Sequence, residues 1–251
     1  MKTLLFPIRR AALLAALPAA VLVFSACSNG DDDTPPAPEQ GRVLISHAAA
    51  VSSVPVTAFA NDQQIGQLNY GQSSGYINVN AGAATVRINS GTQALASQTL
   101  TIAKDQSYSV FAYSPSATIG SNPALLALPD DLSAPAAGQA KVRVVHLALN
   151  APTPVRLTAP SALPGTPGTD ITTDVAFGAA SAFVPVNAGP LNLSVTAGSP
   201  RTQVQVVGDG NTGTGTKNYE AGKIYTVLVR GIAGTGIANA QQVQAVIIQN
   251  N

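Results

Sequence analysis

The sequence is poor in the residues that most often carry chemistry. Its 251 residues include one Cys, no Trp, one Met and two His. A single Cys excludes an intrachain disulfide. With Cys27 set aside no thiolate remains for zinc, and two histidines do not complete a metal site. No metal and no cofactor are expected. Charged residues are 10% of the chain, against roughly a quarter in ordinary soluble domains. The surface therefore has to be made of Ser, Thr, Asn, Gln, Gly and Ala. The 13 basic and 12 acidic residues nearly cancel, which leaves no electrostatic footprint for nucleic acid or acidic lipid. No stretch after Cys27 has the 3.6-residue period of an amphipathic helix.

What is present starts with an export signal. Lys2, Arg9 and Arg10 precede an apolar run from Ala11 to Phe24, broken by Pro18 and ending in small residues. This is the pattern of a secretory signal peptide (residues 1–26), too short and too interrupted for a stable membrane span. Phe24-Ser25-Ala26-Cys27 resembles the lipobox of bacterial lipoproteins, with Phe24 where Leu is usual. The resemblance implies cleavage before Cys27 and a thioether from its sulfur to diacylglycerol. At about 0.8 kcal/mol per buried methylene, a multi-chain anchor holds far better than a single chain. Ser28, rather than Asp, after the cysteine implies sorting to the outer membrane by the same resemblance. Without Lys2, Arg9 and Arg10, ten basic residues face twelve acidic ones, a net −2. Residues 27–41 hold Asp31-Asp32-Asp33 and Pro35-Pro36 without apolar periodicity, and read as a disordered tether reaching about 20 Å.

An internal repeat organises the remainder. Val43-Leu44-Ile45-Ser46-His47 is answered by Val142-Arg143-Val144-Val145-His146, and Pro55-Val56 by Pro154-Val155. Tyr70-Gly71 corresponds to Phe177-Gly178, and Tyr76 to Phe183. Val79-Asn80-Ala81-Gly82 returns as Val186-Asn187-Ala188-Gly189. Ala103–Val110 matches Glu220–Val227, and Ala124–Leu128 matches Gln244–Ile248. A period near 100 residues is that of whole domains, not of a solenoid. The expected units are a first module at 42–132, a linker at 133–140 and a second module at 141–251.

Each unit reads as strands. Period-two alternation runs through Val54–Phe59, Thr85–Ile88 and Gln203–Val206, separated by Asn61-Asp62, Ser90-Gly91 and the Asn-Ala-Gly triplets. The triplets suit three-residue hairpin loops with Gly at positive φ. About seven short strands in roughly 90–110 residues indicate an all-β fold of two tandem immunoglobulin-like β-sandwich domains. The second unit differs by two insertions, Ala159–Thr173 and Gly208–Asn218.

Together, a first strand ending in Val142-Arg143-Val144-Val145-His146, the turn Tyr70-Gly71-Gln72-Ser73-Ser74-Gly75-Tyr76, the triplet after Val79 and the late strand Lys223-Ile224-Tyr225-Thr226-Val227 resemble one bacterial family, domain of unknown function 4397. The similarity covers nearly all of Arg42–Ile248 and implies two copies. The family implies export and a β-sandwich. It brings no activity, cofactor or catalytic residue. Phe177 and Phe183 depart from its tyrosines.

Three motifs point toward chemistry. Gly71-Gln72-Ser73-Ser74-Gly75 fits the GxSxG elbow that presents a nucleophilic serine on a strand-to-helix turn. Here a strand-like Tyr76–Val79 follows, and Ala180 replaces Ser73 in the second unit. Gly208–Gly213 fits GxGxxG, but no helix follows to face a pyrophosphate. Asp209, Asn211 and Glu220 fall short of the six to eight oxygens of a calcium site. His47 and His146 close the first strand of each unit, either as ligand-binding groups or as ties to the next loop. Tyr108 and Tyr225 occupy matching core positions, where a hydroxyl bonded to backbone would form a tyrosine corner.

The expectation is a non-enzymatic, lipid-anchored cell-envelope protein acting as spacer, adhesion module or scaffold. It binds the membrane through Cys27 and an envelope protein as partner. The alternative is a glycan- or peptidoglycan-binding module built on the second unit's loops, with Tyr70, Tyr76, His47 and His146 as candidate ligand-binding residues and Tyr113 as a further aromatic. A serine hydrolase using Ser73 is the remote alternative.

Overall fold

In the computed structural model the described residues are 37–118, 120–161, 168–208 and 216–251. The stretch read as a signal, Cys27, most of the stretch read as a tether, and residues 162–167 and 209–215 of the two insertions lie outside them. The first module has eight strands: β1 (Gln40–Ala48), β2 (Val56–Ala60), β3 (Gln63–Leu68), β4 (Ser73–Asn80), β5 (Gly82–Ser90), β6 (Gln93–Ile102), β7 (Ser107–Tyr113) and β8 (Ala124–Asp130). They form two four-stranded sheets, ordered β4-β1-β7-β8 and β3-β2-β5-β6. β1 runs parallel to β7, while the other ladders are antiparallel. The first strand begins at Gln40, inside the stretch read as tether.

The second module contains β9 (Gln139–Leu149), β10 (Val155–Ala159), β11 (Thr169–Asp170), β12 (Ala179–Ala180), β13 (Val184–Asn187), β14 (Gly189–Asn192), β15 (Ser194–Ala197), β16 (Thr202–Val206), β17 (Thr216–Tyr219), β18 (Ile224–Ile232) and β19 (Gln244–Gln249). Its main sheets are β12-β9-β18-β19, with β13 also on β9, and β11-β10-β15-β16. This is the strand order of the first module with some strands broken in two. The parallel pair recurs as β9 with β18. The protein is all-β, and its sheets pack as sandwiches. The class tolerates different strand orders, and in this one the first strand leaves the second and settles between the fourth and seventh.

Each module closes its own core. Val43 and Ile45 of β1 meet Val56, Ala58, Val86, Ile88 and Val110 in the first. Val142 and Val144 of β9 meet Leu157, Val195, Tyr225 and Val227 in the second. The tyrosine corner is present twice. The Ala103 amide donates to the Tyr108 hydroxyl at 3.2 Å, and the Glu220 amide to the Tyr225 hydroxyl at 3.1 Å.

One local expectation fails. The Asn-Ala-Gly triplets are not hairpin loops: β4 belongs to one sheet and β5 to the other. Ala81 and Ala188 donate their amides to Glu39 and Gly138, each 2.8 or 2.9 Å away. Gly82 and Gly189, with φ of 108° and 122°, turn the chain between layers instead of back along one. Positive φ was read correctly, but a pairing partner cannot be inferred from a turn alone.

A third apolar cluster lies between the modules. Ala48, Phe111, Val145, Leu147 and Leu228 are buried together, with Tyr113, Leu126, Leu128, Val246 and Ile248 against them. The alternate residues of β1, β7, β9 and β18 that miss their own cores therefore face the other module. Two sandwiches become four layers, and Pro38–Asn251 forms one compact unit.

Gly41, near the start of β1, leaves no room for a side chain. A Cβ there would lie 2.6 Å from Ile102 Cγ2 and 2.7 Å from the Ala103 carbonyl oxygen. Overpacking of this kind costs about 1–3 kcal/mol. Gly41→Ala is expected to lower unfolding stability by that amount in chemical denaturation, whereas an alanine at exposed Ser97 should leave it unchanged.

Candidate functional site at the seam between the modules

The parallel strand pairs at the middle of the molecule place polar groups as well as apolar ones into the seam. Arg143 of β9 and Asp130 at the end of β8 form an ion pair of 2.6 Å, with side chains only 3% and 0% exposed. Arg143 Nε donates to Thr226 Oγ1 at 2.9 Å, and its Nη2 to Ser109 Oγ at 3.2 Å. The Ser109 and Tyr76 hydroxyls donate to Asp130 Oδ2 at 2.7 and 2.5 Å. Asn250 Nδ2 donates to the Tyr76 oxygen at 3.0 Å, while Thr226 donates to Asn250 Oδ1 at 2.8 Å. The guanidinium also lies 4.3 Å from the centre of the Phe183 ring. Burial, followed by the Asp130 charge, pushes the Tyr76 hydroxyl up to about 12. Burial likewise lowers Arg143, opposed by Asp130. Each of these side chains is tied to others in its own module or across the seam, which makes this a lock.

The repeat gives the lock a near two-fold character. By register, Asp130 corresponds to Asn250, Ser109 to Thr226, and Arg143 to Leu44. Tyr70-Gly71 packs on Arg230, whose guanidinium stands 4.4 Å over the Tyr70 ring. At the opposite end Phe177 meets Tyr113 edge-on, with centroids 5.9 Å apart, and Tyr113 is the counterpart of Arg230. A Cβ on Gly71 would reach within 2.7 Å of Arg230 Nη2. The small residue suits its φ of 88°, and any side chain there would displace the Arg230 guanidinium.

The residues nominated from sequence separate into three places. His47 and Tyr70 lie together, edge to face at 5.9 Å, beside Arg230. Tyr76 belongs to the Asp130 network. His146 sits against Phe177 with the same edge-on geometry. Both histidines are fully buried. The His47 Nε2 lies 3.0 Å from the Val54 carbonyl, and its Nδ1 accepts the Ala49 amide at 3.4 Å. Burial lowers His47, opposed by Val54 and reinforced by the Arg230 charge. Burial also pushes His146 down to about 4. Burial raises the Tyr70 hydroxyl.

The GxSxG segment is a turn leading into a strand. The Gln72 amide donates to the Asn69 carbonyl at 3.0 Å, and Ser73 opens β4 opposite Ser46. Ser74 accepts the Ile45 amide at 3.0 Å, as Ser181 accepts Val144 at 3.1 Å in the second module. The serine shared by the two modules is therefore a backbone tie. Residues 209–215 of the GxGxxG and calcium-like loop are outside the described residues.

Arg143, Asp130, Thr226, Asn250 and Arg230 escaped the sequence reading. A signal existed: Val142–Leu149 and Ile224–Ile232 are near-continuous apolar runs interrupted by one arginine each. Such runs belong to strands buried on both faces, so an arginine inside one needs a buried partner.

Two outcomes are expected. Asp130→Asn should cost about 3–5 kcal/mol, because it leaves a buried guanidinium unpaired. Arg143→Leu added to it recreates the residues found at the equivalent positions, Leu44 and Asn250, and should recover most of that loss in a double-mutant cycle. His146 gives the second. Its folded value lies below 6.5, so the unfolded chain binds the extra proton. Stability should be complete above pH 6.5 and decline as pH falls toward 4, with a slope under about 1.4 kcal/mol per pH unit. His146→Gln should flatten this part of a pH–stability curve.

The family model described as Domain of unknown function (DUF4397) matches residues 41–154, which takes in the first module and the first strand of the second. No curated protein matches. Among solved structures, a leucine-rich repeat protein from Bacteroides thetaiotaomicron VPI-5482 is 11% identical with a TM-score of 0.19, over 83% of this chain and 26% of that one. A candidate adhesin from Bacteroides ovatus is 9% identical with a TM-score of 0.17, over 76% of this chain and 89% of that one. The chain spans about a quarter of the first of these proteins, and scores this low establish no shared fold. What the comparisons identify is one domain of the DUF4397 family at residues 41–154.

Proposed function

We propose that the chain is a non-enzymatic, lipid-anchored cell-envelope protein whose two-module body serves as a spacer and adhesion scaffold. The observation that carries this reading is the seam. A buried ion pair, its hydrogen-bonded neighbours and the Phe111–Val145–Leu147–Leu228 cluster join the modules into one body. A scaffold has to transmit position without flexing, and this packing suits that task. The second module, with the same strand order, is read as a second copy of the family domain. The signal, the lipobox-like Phe24-Ser25-Ala26-Cys27 and Ser28 support export, acylation and residence in an outer membrane.

The test is fractionation of cells making the native chain or Cys27→Ser. The native protein should sediment with membranes and carry a diacylglyceryl thioether by mass spectrometry. The variant should be released. A native thiol without lipid would overturn the anchor, and protease shaving of intact cells would identify the face on which the body stands.

A further inference from the structure

The first module is open along one side. β3 and β4 are the outer strands of its two sheets and are joined by the turn at Asn69–Gln72. Between them runs a groove. At one end it has a volume of about 520 Å³, with Gln63, Gln64, Asn78 and Asn80 on the rims and Ile65 and Ile77 lining it. It continues past Ile65 to Leu68 on one bank and Ser73-Ser74 on the other. Ile65 and Ile77 pack against the first core yet remain half-exposed.

An outer strand carries a row of main-chain donors and acceptors without ladder partners. Natural edges are commonly blunted by charge, proline or shortness. Gln63–Leu68 and Ser73–Asn80 contain no Lys, Arg, Asp, Glu or Pro, and β4 is eight residues long. By contrast, β8 at the opposite edge of the β4 sheet carries Pro129. The lining has no formal charge, so an ionic ligand would lose hydration without a counter-charge. It also has no aromatic ring on which a sugar could stack. Amides on both rims match the donors and acceptors of a peptide backbone, and the isoleucines offer room for an apolar side chain at every second position.

We infer that this groove binds an extended, uncharged peptide segment of another protein, added as a strand to the β4 edge, with apolar side chains lowered between Ile65 and Ile77. The inference names a partner chemistry for the scaffold. It needs neither the lipid anchor nor an envelope location, so it stands or falls separately from the fractionation result.

The chain has no Trp, so tryptophan emission in a mixture reports only an added peptide. The probe is acetyl-Trp-Gly-Thr-Val-Thr-Val-Thr-Val-amide, titrated with the full chain and followed by emission and anisotropy. Saturable binding is expected. Gln64→Lys and Asn78→Lys, both at exposed rim positions, should each weaken it at least tenfold without changing the circular dichroism. Thr101→Lys on the β6 edge should leave it unchanged. Equal binding by the groove variants, equal binding of a peptide with Glu in place of Val, or binding of chitohexaose without binding of the peptide would each overturn the proposal.

Discussion

A guanidinium with 3% of its side chain exposed can persist only if something nearby balances its charge and receives its protons. Arg143 meets this constraint by reaching across to the last residue of β8, and much else in the molecule follows from that reach. Asp130 must sit at the strand end, within range of Ser109 and Tyr76. Asn250, just after β19, must return to cap the Tyr76 hydroxyl. The two sheets that carry these residues must then lie face to face. Such a pair adds little net stability over a well-packed apolar substitute, but it is costly to break, and it favours one registration of the modules over others.

That registration is nearly symmetric. Two copies of a fold that meet through the same face form what would be an isologous interface between separate chains. Here the equivalent faces belong to one chain, so each could diverge independently. Leu44 is the counterpart of Arg143, Asn250 of Asp130, and Tyr113 of Arg230. One end of the seam is a ring cluster of His146, Phe177 and Tyr113. The other is a cation stacked on Tyr70 beside His47. Fusion removes the requirement for self-complementarity, and a charged pair can be placed across the seam without its like-charged mirror image.

Burial governs where the residues nominated from sequence lie. His47 and His146 each close the innermost strand of their module; His47 meets the carbonyl of Val54 in the following loop, and His146 packs edge-on against Phe177. Recurrence alone could not separate that role from ligand binding. Tyr76 was singled out as an aromatic of a conspicuous turn, and its hydroxyl is in the seam network. The GxSxG segment leads into a strand, as the strand-like residues after it imply. The Asn-Ala-Gly triplets were misassigned because the same backbone turn can lead a chain back along its sheet or over to the facing one.

Sequence by itself determined the all-β character, the repeated pattern and the matched placing of Tyr108 and Tyr225. Those depend on period-two alternation, turn chemistry and spacing, all of which are local. Which strands lie side by side, and which faces of β1, β7, β9 and β18 are covered twice, was decided only in three dimensions. A run such as Val142–Leu149 states that both faces are buried, but it cannot name what buries them. Only when the two sheets meet do an arginine and an aspartate thirteen residues apart become a buried pair, because pairing depends on the layers packing against each other and not on distance along the chain.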